Sequence, residues 1–154
     1  MIDTDEVEIL LVEDDPNDVR LTLHALQREN LKNRIEVMRD GEEALDFLFR
    51  RGTFSSRAHT RPPKLILLDL KLPKVDGMEV LRQLKSNAGT QAIPVVVLTS
   101  SKEERDLVES YKLGVNSYIQ KPVDFDQFRQ TIKAVGLYWL VVNQPPAQKA
   151  FGVK

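Results

Sequence analysis

Three acidic residues in a row, Glu13-Asp14-Asp15, follow the apolar run Ile9–Val12. A lone aspartate, Asp69, closes a second apolar run, Leu65–Leu68, and the hydroxyl triplet Thr99-Ser100-Ser101 closes a third, Val95–Leu98. Lys121-Pro122 comes after a weaker run at Ser117–Ile119. Crowded carboxylates repel, and a hard cation relieves that repulsion through oxygen ligands. Mg²⁺ takes one or two carboxylates, keeps several waters and leaves room for phosphate oxygens. A lysine and a threonine hydroxyl are partners for phosphoryl oxygens, and phosphoryl transfer asks mainly for positioning and charge stabilisation. A carboxylate can itself be the nucleophile, giving an aspartyl-phosphate. Brought together, these residues suit acceptance of a phosphoryl group on Asp69 beside Mg²⁺ or Mn²⁺.

They meet only if the chain folds appropriately, because Asp14 and Lys121 are 107 positions apart. Short apolar, β-branched runs alternate with stretches of helical spacing, and weaker runs lie at Ile35–Met38 and Ser117–Ile119. Asp15-Pro16 places a capping acceptor before proline at the first helical position. Asp40 with Glu43, Asp76 with Glu79 and Ser101 with Glu104 read as capping boxes. Asp124 begins the last helix, and Gly114 is read as the left-handed residue that ends the fourth. Strand and helix thus alternate five times, and fully apolar strands imply an α/β fold with a parallel sheet buried on both faces. Sites in such doubly wound sheets form beyond the carboxyl ends of the strands, where every residue above falls.

The 154 residues suffice for one domain with its own core. Charged residues make up 29% and apolar ones 42%, a soluble globular balance, and the net charge of −1 makes no case for a nucleic-acid or membrane partner. Cysteine is absent, which excludes disulfides, thiolate metal sites and a cysteine nucleophile. With no secretory signal pattern at Met1–Glu8, a cytoplasmic protein is expected.

From about Glu8 to Lys133 the sequence resembles bacterial response-regulator receiver domains. The resemblance rests on Leu11-Val12-Glu13-Asp14-Asp15, Leu67-Leu68-Asp69-Leu70-Lys71-Leu72-Pro73, Asp76-Gly77, Val97-Leu98-Thr99-Ser100, Gly114 through Tyr118, and Lys121-Pro122. It implies a flavodoxin-like (βα)5 sheet of strand order 2-1-3-4-5. It implies a phospho-acceptor at Asp69, an acidic pair at Glu13 and Asp14, with Asp14 the direct metal ligand, and a third ligand in the Lys71 main-chain carbonyl. Thr99, Lys121 and the Ser100 N–H are implied partners of phosphoryl oxygens. Tyr118 is implied to be an aromatic switch that turns inward when Thr99 is drawn to the phosphoryl group, and Lys121-Pro122 a cis bond. The implied activity is receipt of a phosphoryl group from a sensor histidine kinase by a protein that acts as acceptor rather than as enzyme; an intermediate in a longer relay is the alternative within the family. An aspartyl-nucleophile phosphatase would carry an acid where Lys71 stands, and a nucleotide- or flavin-binding module would carry a phosphate loop where Glu13-Asp14-Asp15-Pro16 stands.

Several features lie outside that motif set. His24 and His59 belong to no strand end and read as ordinary surface or half-buried residues. Arg51 to Lys64, with Arg57, Arg61 and Pro62-Pro63, reads as a long solvated insertion. Phe125, Phe128, Ile132, Val135, Trp139 and Val142 form one stripe at helical spacing, and Leu137, Tyr138, Leu140 and Val141 make the far side apolar too. An extended last helix of this kind needs cover on more than one side, so a homodimer through Val135, Leu137, Tyr138, Trp139, Leu140, Val141 and Val142 is expected. Residues 1–143 are expected to be one receiver domain and 144–154 a tail, with no output domain. Gly136-Leu137-Tyr138-Trp139, the Asn143-Gln144-Pro145-Pro146 tail and the long loop together resemble the small response regulators paired with cyanobacterial and bacterial phytochromes, which implies a phytochrome-type kinase as partner.

Overall fold

Strands without a polar face are stable only when helices cover both sides of their sheet. A computed structural model of the chain, describing residues 7–27, 33–57 and 61–137, has that arrangement. Strands β1 (Ile9–Val12), β2 (Ile35–Met38), β3 (Leu65–Asp69), β4 (Val95–Thr99) and β5 (Ser117–Gln120) form one parallel sheet in the order β2-β1-β3-β4-β5. Helices α1 (Pro16–Gln27), α2 (Gly41–Phe49), α3 (Gly77–Lys85), α4 (Lys102–Ser110) and α5 (Phe125–Ala134) follow the strands in turn. Alternate strand residues serve two cores. Leu10, Val12, Ile66, Leu68, Val95 and Val97 pack with α2, α3 and Val108 of α4. Ile9, Leu11, Leu65, Leu67, Val96, Leu98 and Ile119 pack with α1 and with Phe128 and Ile132 of α5.

The strand register fixes the rim. Val12 lies opposite Leu68, so Glu13 emerges beside Asp69. Asp69 pairs with Leu98, which puts Thr99 one step beyond it, and Thr99 pairs with Gln120, after which comes Lys121. Side-chain caps begin the helices as expected, with Asp40, Asp76, Ser101 and Asp124 accepting from the N–H three residues on.

Three expectations need correction. The fourth helix closes at Ser110, and Lys112 is the first left-handed residue after it (φ 53°). Gly114 is left-handed too (φ 78°) but lies in the connection to β5. The segment after α2 is not simply a solvated insertion. Gly52–Arg57 forms a 3-10 helix, Phe54 meets Phe47 edge to face at 5.3 Å, and Arg51 lies over Phe49 and pairs with Asp46 at 3.3 Å.

The third concerns α5, which ends at Ala134 instead of running on through Val142. Gly136 takes φ 86°, a conformation glycine adopts at little cost, and the N–H groups of Gly136 and Leu137 return to the carbonyls of Lys133 and Ile132. Leu137 then packs back on the α1–α5 core, and Val135 is a half-exposed cap residue. The apolar stripe is therefore interrupted. The remaining dimer candidates, Tyr138, Trp139, Leu140, Val141 and Val142, lie outside the described residues, as do His59 and residues 144–154.

Candidate functional site

Asp69 and Thr99 close their strands, and Glu13 and Lys121 sit one step past theirs, where the ladder ends and the backbone turns. Glu13 and Asp69 are almost fully buried, at 1% and 3% exposure, whereas Asp14 is exposed. Carboxylate oxygens of Glu13, Asp14 and Asp69 lie within 4.8 Å of one another. Asp15 stands apart as the cap of α1, its Oδ1 accepting from the Asn17 N–H at 2.8 Å. The Lys71 carbonyl belongs to the turn after β3, held where the Gly77 N–H donates to the Leu70 carbonyl at 2.8 Å. That turn is tight enough that a Cβ on Gly77 would lie 2.6 Å from the Leu70 Cα.

One cation is shared among the acids. Lys121 Nζ lies 2.9 Å from Asp69 Oδ1, 3.0 Å from Asp18 Oδ2 and 3.3 Å from Glu13 Oε1. The Lys121-Pro122 bond is cis, and the Lys121 N–H donates to the Thr99 carbonyl at 2.8 Å. Burial alone would lower the lysine's pKa, but hydrogen bonds to Asp69 and Asp18 and the charges of Asp69 and Glu13 outweigh it and push it up. Glu13 moves in the opposite sense for an acid: burial, then the charge of Asp69, raises its pKa from 4.5 to about 7 despite Lys121 and the Asp15 N–H. Burial likewise raises Asp69, Lys121 opposes the rise, and Glu104 adds to it. Negative charge at the rim thus exceeds what one ammonium can balance. An all-oxygen donor set carrying that excess fits a hard divalent cation.

Thr99 is buried at the end of β4, and Ser100, next along, is exposed. A cavity of about 280 Å³ runs from Thr99 to Tyr118 between Arg105 and Gln120. Tyr118 is half-exposed, with the Arg105 guanidinium 5.0 Å from its ring centre, so the cavity lies between the ring and the threonine.

All the strand-end residues expected from the sequence therefore share one rim, and His24 is exposed on α1 away from it. Two residues there were not anticipated as site residues. Asp18, in the first turn of α1, holds Lys121 together with Asp69 and Glu13. Glu104, read only as a capping partner, accepts from the Ser100 N–H at 2.8 Å and lies 3.6 Å from Lys71 Nζ.

Residues 9–133 match the family of the response regulator receiver domain. The chain is 45% identical over 138 residues to a probable methanogenesis regulatory protein, FilR2, of Methanothrix harundinacea, covering 90% of this chain and 86% of that one. It is 40% identical over 139 residues to the response regulator Rcp1 of Synechocystis, covering 90% and 92%. Among solved structures, the bacteriophytochrome response regulator RtBRR is 54% identical with a TM-score of 0.83, covering 92% and 85%. The Mn²⁺-bound form of Rcp1 is 41% identical with a TM-score of 0.69, covering 87% and 94%. Among the described residues no helix is long and apolar enough to cross a membrane.

Proposed function

The chain belongs to the response regulator receiver domains, and on that premise we propose that it accepts a phosphoryl group on Asp69 from a phosphohistidine of a sensor histidine kinase. The observation that carries the reading is the Lys121 ammonium 2.9 Å from Asp69 on the rim where Glu13, Asp14 and Thr99 also emerge. Lys121 opposes the rise that burial imposes on the Asp69 pKa and so favours the carboxylate a nucleophile needs. An Asp69 oxygen attacks phosphorus, the P–O bond forms as the P–N bond to the imidazole breaks, and the freed imidazole takes a proton from solvent. The Thr99 hydroxyl, the Ser100 N–H and Lys121 then serve the phosphoryl oxygens. Glu13, Asp14, Asp69 and the Lys71 carbonyl would hold Mg²⁺, which when bound neutralises charge on the transferred group.

The signal is a change of shape rather than a turnover. With Thr99 drawn toward the phosphoryl group, the cavity beside it admits the Tyr118 ring, and the α4–β5–α5 face is altered for partners. A phytochrome-type kinase is the favoured donor, because two solved neighbours with TM-scores of 0.83 are bacteriophytochrome response regulators, 51% and 54% identical. Assembly into a homodimer through residues 138–142 is the remaining part of the reading, tested by sedimentation with and without a phosphoryl mimic. The decisive experiment is Mg²⁺-dependent labelling from acetyl phosphate and from candidate phosphorylated kinases. Asp69→Asn is expected to abolish it, and undiminished labelling would refute the assignment.

A further inference from the structure

Glu104 does more at the rim than a capping residue needs to do. Its side chain is only 17% exposed. Oε1 accepts from the Ser100 N–H at 2.8 Å, the Ser100 hydroxyl lies 3.5 Å from Oε2, and Lys71 Nζ lies 3.6 Å from Oε2. The same local geometry occurs in α2, where Glu43 accepts from the Arg39 N–H at 2.9 Å, one residue ahead of the cap Asp40. That second example shows that such a box can be purely structural. Two features separate Glu104 from Glu43. The N–H it occupies is the one directly after Thr99 at the site, and its charge is felt by Asp69, whose carboxyl it helps to raise.

We propose that the Glu104 carboxylate is the resting-state occupant of the position that a phosphoryl oxygen takes on Ser100, and that it sets how tightly the site holds the phosphoryl group. The inference rests on Asp69 being the acceptor. An anion arriving on Asp69 meets Glu104 as a like charge already bonded to the same donor. Both cannot use one N–H, so Glu104 must leave Ser100, and Lys71 loses its anionic partner with it. The affinity of the site is then the intrinsic affinity reduced by the displacement of Glu104, and removing the negative charge removes that penalty. Glu104 acts through the donor set and touches no reacting atom, so it is a positioning residue.

The test uses beryllofluoride with Mg²⁺, titrated into the whole chain and followed by ¹⁹F resonance and by the Ser100 amide signal. Glu104→Gln keeps an acceptor for Ser100 but carries no charge, and is expected to bind beryllofluoride about tenfold more tightly than wild type. Glu43→Gln, which makes the equivalent change in α2, is expected to leave that affinity unaltered. In wild type the Ser100 amide is expected to shift on binding as its acceptor changes. Equal or weaker binding by Glu104→Gln overturns the proposal, as does an equal gain in Glu43→Gln, which would trace the effect to helix capping. If wild type binds no more beryllofluoride than Asp69→Asn, the acceptor assignment itself falls and takes this proposal with it.

Discussion

Asp69→Asn is expected to make the chelated protein more stable at pH 8, even though it removes an ion pair. At an effective dielectric of about 20, unit charges 2.9 Å apart attract by about 6 kcal/mol, and charges at the 4.8 Å outer bound of the carboxylate cluster repel by about 3 kcal/mol. Asp69 has that attraction to Lys121 and at least that repulsion from each of Glu13 and Asp14, to which Glu104 adds, so the repulsions cancel the attraction. What remains is the desolvation of a carboxylate that is 3% exposed, which asparagine does not incur in charged form. Lys121 keeps Asp18 and Glu13 as partners, so no buried ammonium is orphaned. A gain of about 1–2 kcal/mol follows.

The pH dependence sharpens this. The folded-state pKa of Glu13, about 7, stands above its ordinary 4.5, so between those values the folded protein holds a proton that the unfolded chain has released. Stability in the absence of metal therefore falls as pH rises from 4.5 to 7, by about 3 kcal/mol. Because the charge of Asp69 is the second cause of that rise, the variant should show a flatter dependence. Urea unfolding followed by circular dichroism in EDTA, from pH 5 to pH 8, measures both quantities. Added Mg²⁺ should stabilise wild type markedly and the variant much less. A variant that is less stable at pH 8 with an unchanged pH slope would refute the charge-crowding argument.

Asp18→Asn is expected to lower the pKa of Lys121, since Asp18 is among the groups that raise it; a lysine-selective NMR titration showing no decrease would mean that Asp69 and Glu13 hold the ammonium alone. Gly77→Ala places a Cβ against the Asp69 carbonyl and the Leu70 backbone and should destabilise by about 3 kcal/mol while displacing the turn that follows Asp69. Thermal melts and labelling should fall together, and an unaltered melting temperature would show that the turn yields freely. Arg105→Ala removes a guanidinium from the exposed face of Tyr118, so the ring should turn inward about threefold more readily, read from the ¹⁹F shift of fluorotyrosine at that position.

The strands were legible because burial on both faces leaves no room for polar residues, so Leu65–Leu68 and Val95–Leu98 announce themselves and their ends mark the rim. Register then did the rest, bringing Glu13, Asp69, Thr99 and Lys121 together without local signals between them. Asp18 was not legible for the opposite reason. An aspartate in a first helical turn is explained by the helix dipole alone, and only the packing of α1 near α5 and the strand ends reveals its second partner, 103 positions away. Glu104 was seen, but its capping role accounted for it fully at the level of sequence. At Gly136 two signals competed: apolar periodicity argued for continuation and the glycine for a stop. The backbone followed the glycine, because Leu137 reaches the core only by turning back.

The lysine shared three ways has a consequence for how the protein treats information. Glu13, Asp14, Asp18 and Asp69 crowd the rim around that one ammonium, so a negative excess remains that a divalent cation would reduce and an added anion would deepen. The cation is thereby a precondition for the anion, and the anion is not one for the cation. A rim charged in this way would work as an ordered gate, in which the metal is seated before a phosphoryl group is held.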